Sequence, residues 1–208
     1  MKIAVVANEM LKEELLTQGL ATDAPVEWLS EIKAIPGADC YIDLLFSAGP
    51  ERIGALQQLQ PAVIIVNAVT NTLDELSPDF IRINGWPTFL KRSLVEASGT
   101  NEDIKEKAEK FLSVFNKKIE WVPDIPGFIT PRVISMIINE AWFTLDEKVS
   151  SKEDIDTAMK LGTNYPYGPF EWGEKIGLKN IYDLLTRLTA ANSRYEPSAL
   201  LKKEALPA

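Results

Sequence analysis

Short runs rich in Val and Ile punctuate the first half of the chain, at residues 2–7 (KIAVVA), 38–46 (ADCYIDLLF) and 61–69 (PAVIIVNAV). Such unbroken apolar runs suit strands of a parallel sheet covered on both faces. Residues 26–29, 80–83 and 93–97 read as further strands. Residues 10–17 and 51–59 read as crossover helices, the latter with Ile53, Leu56 and Leu59 at helical spacing. Residues 102–116 carry Ile104, Ala108, Phe111, Leu112 and Phe115 on one stripe and charged residues on the other, the mark of an amphipathic helix. Strands alternating with helices predict a doubly wound, mainly parallel α/β domain.

After Pro123 the pattern becomes helical only. Thr130 is an expected N-cap with Pro131 at the first helical position, where a missing N–H costs nothing. Ile134, Ile137, Ile138, Ala141 and Leu145 then form one apolar face, a core or subunit interface. Ser151 with Asp154 forms a capping-box pattern. The helix it opens is expected to bury Ile155, Ala158 and Met159 and to end on Gly162 as a left-handed cap. Pro169 opens and Gly177 closes a third helix, and Ile181, Leu184, Leu185 and Leu188 mark a fourth. The switch at residues 121–126 places the domain boundary between 1–122 and 123–208, with fraying expected in the last few residues.

The net charge of −8 and pI near 4.8 argue against a nucleic-acid partner, which requires clustered Lys and Arg. The basic residues between 102 and 110 are interleaved with acidic ones, as on a solvated helix face. Cys40 is the single cysteine, so no intrachain disulfide or cysteine-based metal site is expected, and its apolar surroundings predict a packed thiol. With no signal-peptide pattern and no apolar run long enough to span a bilayer, the expected location is cytoplasmic, away from membranes.

Several blocks stand in a recognisable order and spacing: Pro126-Gly127-Phe128-Ile129, Arg132, Asn139-Glu140-Ala141, Glu153-Asp154-Ile155-Asp156 and Gly168-Pro169-Phe170-Glu171. Arg194-Tyr195-Glu196-Pro197 and Leu200-Leu201-Lys202-Lys203 follow, without the Gly- and Tyr-rich tail that usually comes next. Together they resemble the C-terminal helical domain of the 3-hydroxyacyl-CoA dehydrogenases. The resemblance implies a Rossmann-like domain followed by an all-α domain, with NAD as cofactor. It also implies oxidation of a 3-hydroxyacyl thioester, a homodimer formed through the helical domain, and a cleft between domains.

The positions on which that chemistry depends are altered. The family places G-x-G-x-x-G after its first strand, so that backbone N–H groups approach the pyrophosphate. Those three glycines correspond here to Ala7, Glu9 and Lys12. Two like charges about 4 Å apart cost on the order of 1 to 4 kcal/mol between water and a protein surface, so Glu9 opposes a diphosphate. Lys12 is expected to form a solvated ion pair or to be simply exposed at the surface. Ser30, not an acid, follows the second strand, and the interval from residue 18 to 35 is short, which predicts a trimmed domain.

The family's catalytic His, twelve residues ahead of its Glu, falls on Asn84, and the Glu on Glu96; the chain contains no histidine. An amide has no titratable proton near neutral pH and cannot act as the general base. The family's Asn-Thr-Ser corresponds to Asn71-Thr72-Leu73, and an Asn of the helical domain to Pro131.

Asn84 and Glu96 are therefore the candidate catalytic positions. Their plain structural readings are an amide satisfying backbone groups and a surface or hydrogen-bonded strand-end carboxylate. No cofactor-binding or metal residues are assigned, and NAD binding in the usual mode is not expected. The leading expectation is a dehydrogenase-like protein without hydride transfer that binds an acyl-CoA or small acid and dimerises. One alternative is an active oxidoreductase in which Glu96 works with a water or another base; another is a structural dimerisation module. Tyr165, Tyr167, Phe170 and Trp172 offer either a ligand platform or helix packing, of which packing is expected.

Overall fold

A computed structural model describes residues 1–206. Its sheet unit carries seven strands: β1 Ile3–Val6, β2 Val26–Leu29, β3 Cys40–Asp43, β4 Val63–Asn67, β5 Phe80–Ile83, β6 Leu94–Ser98 and β7 Lys118–Trp121. Their order is β2-β1-β3-β4-β5-β6-β7, parallel throughout except between β5 and β6. The helices of this unit are α1 Glu9–Leu16, α2 Pro50–Gln57, α3 Leu73–Leu76 and α4 Glu102–Ser113.

Alternation along β1 explains the doubly wound arrangement. Ile3 and Val5 pack with Leu11 and Leu15 of α1 and with Ala108, Phe111 and Leu112 of α4. Ala4 and Val6 belong to a second core with Leu56 of α2 and Leu73 and Leu76 of α3. Cys40 lies in the first core, where burial pushes its thiol up. Between β2 and β3, residues 30–39 form neither helix nor strand, the trimming expected from the short interval. Strand β7 and helix α3 lie outside the sequence expectations. β7 is a four-residue edge strand exposed on alternate positions, too short for its period to stand out.

The helical unit contains α5 Thr130–Asp146, α6 Lys152–Thr163, α7 Pro169–Ile176, α8 Leu178–Thr189, a 3-10 turn at Ser193–Tyr195 and α9 Ala199–Ala205. Ser151 caps α6 as expected, accepting from the Asp154 N–H at 3.2 Å. Ile181, Leu184, Leu185 and Leu188 are buried along α8, and Gly177, at φ 92°, ends α7.

Four expectations need correction. Thr130 is the first residue of α5, and Ile129 holds the cap position without a side-chain bond. Gly162 lies inside α6, which ends on Asn164 at φ 55°; Asn tolerates this left-handed conformation and displaces the cap by two residues. Ile155, Ala158 and Met159 are not buried in the chain; Asp156 is the buried residue of α6, and the three apolar side chains line an open groove. The compact units divide between Phe128 and Ile129, later than 122/123.

The later boundary has a cause within the sheet unit. Asp124 pairs with buried Arg82 and accepts from the Leu73 N–H at 2.8 Å. The Gly127 N–H donates to the Val69 carbonyl at 2.8 Å, and Arg82 lies 4.5 Å from the Phe128 ring. Residues 124–128 are thereby fastened to the sheet. The expected fraying is not seen through Ala205, at the end of α9; Pro207 and Ala208 lie outside the described residues. No helix among the described residues is long and apolar enough to cross a membrane.

Candidate functional site

The turn after β1 would face the phosphates of a dinucleotide in a doubly wound fold. Here two of its polar groups are already engaged. The Ala7 N–H donates to the Leu29 carbonyl at 3.0 Å, and Asn8 caps α1 by accepting from the Leu11 N–H at 2.9 Å. An asparagine side chain therefore occupies the helix terminus that an anion would use. Glu9 projects into solvent with 82% of its side chain exposed and pairs with Lys12 at 3.4 Å, the first of the two arrangements the sequence allows. The Lys12 ammonium also lies 5.5 Å from the Trp28 ring of β2.

The structure brings the two candidate catalytic positions together. The register of the antiparallel pair, Arg82 opposite Ser98 and Ile83 opposite Ala97, continues to place Asn84 opposite Glu96. The Asn84 N–H donates to the Glu96 carbonyl at 2.9 Å, and Asn84 Nδ2 donates to Glu96 Oε2 at 3.2 Å. Asn84 is 4% exposed and Glu96 8% exposed, so Glu96 is the hydrogen-bonded strand residue of the sequence reading and not a surface one. An amide has no titratable proton near neutral pH, so this pair can hold and orient but cannot relay a proton through Asn84.

The backbone after Asn84 is held by side chains that the sequence did not single out. Asn67 brackets Gly85, accepting from its N–H at 3.0 Å and donating to its carbonyl at 3.2 Å. A Cβ on Gly85 would lie 2.7 Å from Asn67 Cγ, so glycine is required there. The Glu14 carboxylate accepts from the Thr88 N–H at 2.7 and 2.8 Å, fixing Thr88 at φ 77°. Buried Lys117 donates to the carbonyls of Leu90 and Arg92 at 2.5 and 2.8 Å, and burial lowers its ammonium to about 8. Arg82 had a visible signal, a lone cation inside the apolar run FIRI. Lys117 sits beside an acid- and lysine-rich helix and had none.

The remaining altered positions are structural. Leu73 is buried at the start of α3, with its N–H on Asp124, so it presents no hydroxyl and no free donor. Pro131 is buried in the first turn of α5. Among the described residues no group of three or more His, Cys, Asp or Glu is placed to hold a metal ion.

In the helical unit the motif residues act on one another. Asp156 accepts from the N–H groups of Phe170 and Glu171 at 2.8 and 3.1 Å, capping α7 from the side. A Cβ on Gly168 would lie 2.3 Å from Asp156, so that approach requires glycine. Glu171 reaches back to the Gly168 N–H at 3.1 Å and pairs with Lys160. Asn139 holds the chain after the 3-10 turn, donating to the Glu196 carbonyl and accepting from the Ser198 N–H, both at 2.8 Å. Trp172 meets Tyr165 and Tyr167 edge-on at 6.1 and 5.9 Å, and Phe170 meets Trp142 at 5.1 Å; these rings pack helices.

Comparison with known proteins agrees with this division. Residues 127–206 match the family described as 3-hydroxyacyl-CoA dehydrogenase, C-terminal domain. The 3-hydroxyadipyl-CoA dehydrogenase of Escherichia coli (strain K12) is 42% identical over 54% of this chain, a match spanning 24% of that protein's length. The 3-hydroxybutyryl-CoA dehydrogenase of Bradyrhizobium diazoefficiens is 29% identical over 95% of this chain and 72% of its own. Among solved structures, the (S)-3-hydroxybutyryl-CoA dehydrogenase of Ralstonia eutropha superposes with a TM-score of 0.74, covering 97% of this chain and 92% of that one. At 20% identity it establishes the shared fold.

Proposed function

Because the chain belongs to the 3-hydroxyacyl-CoA dehydrogenase family, we propose that it keeps the family scaffold without NAD-dependent hydride transfer. In this reading it serves as a dimeric binding protein for an acyl-CoA or a small acid within fatty acid metabolism, in the cytoplasm. The observation that carries the proposal is the Asn84–Glu96 pair, buried and hydrogen-bonded at 3.2 Å where the resemblance puts an imidazole beside a carboxylate. The residues around α1 do not fit a dinucleotide in the usual mode: Asn8 fills the helix terminus and Glu9 adds negative charge.

Dimerisation through the helical unit is supported by its apolar exposure. An open groove of about 550 Å³ is lined by Ile137, Ala141, Val149, Ile155, Ala158 and Met159 among others. Leu161 is 83% exposed nearby in sequence, and Ile129, Val133 and Phe143 are also exposed. Apolar surface on this scale favours burial against a partner, and a second copy is the partner the family resemblance supports.

Two measurements test the proposal. With 3-hydroxybutyryl-CoA and NAD, no growth of NADH absorbance is expected, and thermal unfolding should shift with an acyl-CoA but not with NAD. Saturating ligand at about a hundredfold over its dissociation constant stabilises by about 2.7 kcal/mol, which is readily seen. The second reading, an active 3-hydroxyacyl-CoA oxidoreductase using Glu96, is favoured by the match along 95% of the chain to a protein named 3-hydroxybutyryl-CoA dehydrogenase. NADH production abolished by Glu96→Gln would establish it in place of the first.

A further inference from the structure

The sequence holds one asparagine followed by glycine, Asn84–Gly85, and the asparagine is the candidate catalytic position itself. In such a pair the glycine nitrogen can attack the asparagine side-chain carbon. The bond from that nitrogen to Cγ forms, the Cγ–Nδ2 bond breaks, and ammonia departs with the proton of the glycine N–H. Glycine favours the attack because it has no Cβ to hinder the approach or restrict the backbone. Water then opens the cyclic imide, at Cγ to give aspartate or at the main-chain carbon to give isoaspartate. Solvent is the only co-reactant.

In the folded protein the atoms of that step are engaged. The attacking nitrogen keeps its hydrogen on Asn67 Oδ1 at 3.0 Å. Asn67 Nδ2 donates to the Gly85 carbonyl at 3.2 Å, so one side chain grips both ends of the glycine. The same Nδ2 reaches the Leu44 carbonyl at 3.2 Å, which anchors the grip to the segment after β3. Asn67 also lies directly against Gly85, where an added Cβ would meet its Cγ at 2.7 Å, and this contact opposes rotation of the glycine toward Asn84. The leaving nitrogen, Asn84 Nδ2, donates to Glu96 Oε2 at 3.2 Å, and Asn84 Oδ1 accepts from the Trp86 N–H at 3.4 Å. Asn84 is 4% exposed, so the water that would open the imide is kept out as well. Either product would damage the site. Aspartate replaces the donor facing Glu96 with a like charge, and isoaspartate inserts an extra main-chain carbon after β5.

We propose that Asn84–Gly85 is a latent deamidation site and that Asn67 holds it shut in the folded chain. The site lies within the sheet unit and does not depend on whether the chain transfers hydride.

Mass spectrometry of the peptide containing residue 84, after incubation of the full chain at mildly alkaline pH, tests it. Wild type should keep its amide when folded and convert to aspartate and isoaspartate in guanidinium chloride, a comparison that needs no variant to fold. Asn67→Ala should deamidate at residue 84 about tenfold faster than folded wild type, the weight of one hydrogen bond to a buried donor. Arg82→Met destabilises the same unit with Asn67 in place, and so separates local shielding from global unfolding. With both variants folded by circular dichroism, Arg82→Met should stay near the wild-type rate. Folded wild type converting as fast as the unfolded chain, no conversion in guanidinium chloride, an unchanged rate in folded Asn67→Ala, or an equal rise in both variants would each overturn the proposal.

Discussion

In the helical unit, Asp156, Gly168 and Glu171 interlock around the start of α7, while Asn139 fastens Glu196 and Ser198. In the sheet unit, Ala7, Glu9 and Lys12 stand where the family resemblance puts glycines, and Asn84 where it puts a histidine. The matching residues hold helices to one another; the altered ones stand where the family resemblance implies cofactor and substrate contacts. A motif can thus persist for packing alone, and family membership read from it says little about chemistry in another unit.

The comparison can be broken at the sheet unit first. Arg82→Met leaves Asp124 without its cation and strips donors from the carbonyls of Ala68 and Ile125. A loss of about 3–4 kcal/mol is expected in denaturant unfolding, because removing one partner of a buried pair strands the other. A neutral outcome would mean that residues 124–128 are not fastened as described.

Gly168→Ala probes the helical unit at the closest approach in its motif network. With the new Cβ 2.3 Å from Asp156, a loss of about 2–3 kcal/mol is expected. Circular dichroism melting should show it, and a stable variant would deny the motif its packing role.

Lys117 offers a pH-dependent effect. Its folded ammonium titrates near 8, below the ordinary 10.5, so between these values the unfolded chain holds more protons. Stability should therefore rise with pH across that window in the wild type, relative to Lys117→Gln. A difference that is flat with pH would remove the buried ammonium from the account. The smallest effect is expected at Glu9→Gln, which loses only an exposed ion pair: within about 0.5 kcal/mol, and with no NAD-dependent stabilisation gained, because the Asn8 cap remains.

Much of this was legible because it rests on local pattern. The Val- and Ile-rich runs became β1, β3 and β4; positions 84 and 96 were singled out by the family resemblance, and their hydrogen bond is visible only in the fold. What could not be read depends on long-range approach or on surfaces. Ile155, Ala158 and Met159 look like core in a helical pattern, but periodicity cannot tell a chain's own interior from a face left open. Arg132 and Tyr195 are far apart in sequence, and nothing in either segment announces that they meet. Gly162 was the natural cap by residue type, yet Asn164 serves because α6 runs to Thr163.

The reversed direction of β6 has an evolutionary consequence. Because ladder register alone sets residue 84 opposite residue 96, whatever side chain arises at 84 is delivered to the same carboxylate without rearranging the main chain. The scaffold acts as a fixed socket, and reactivity there can be gained or surrendered one codon at a time.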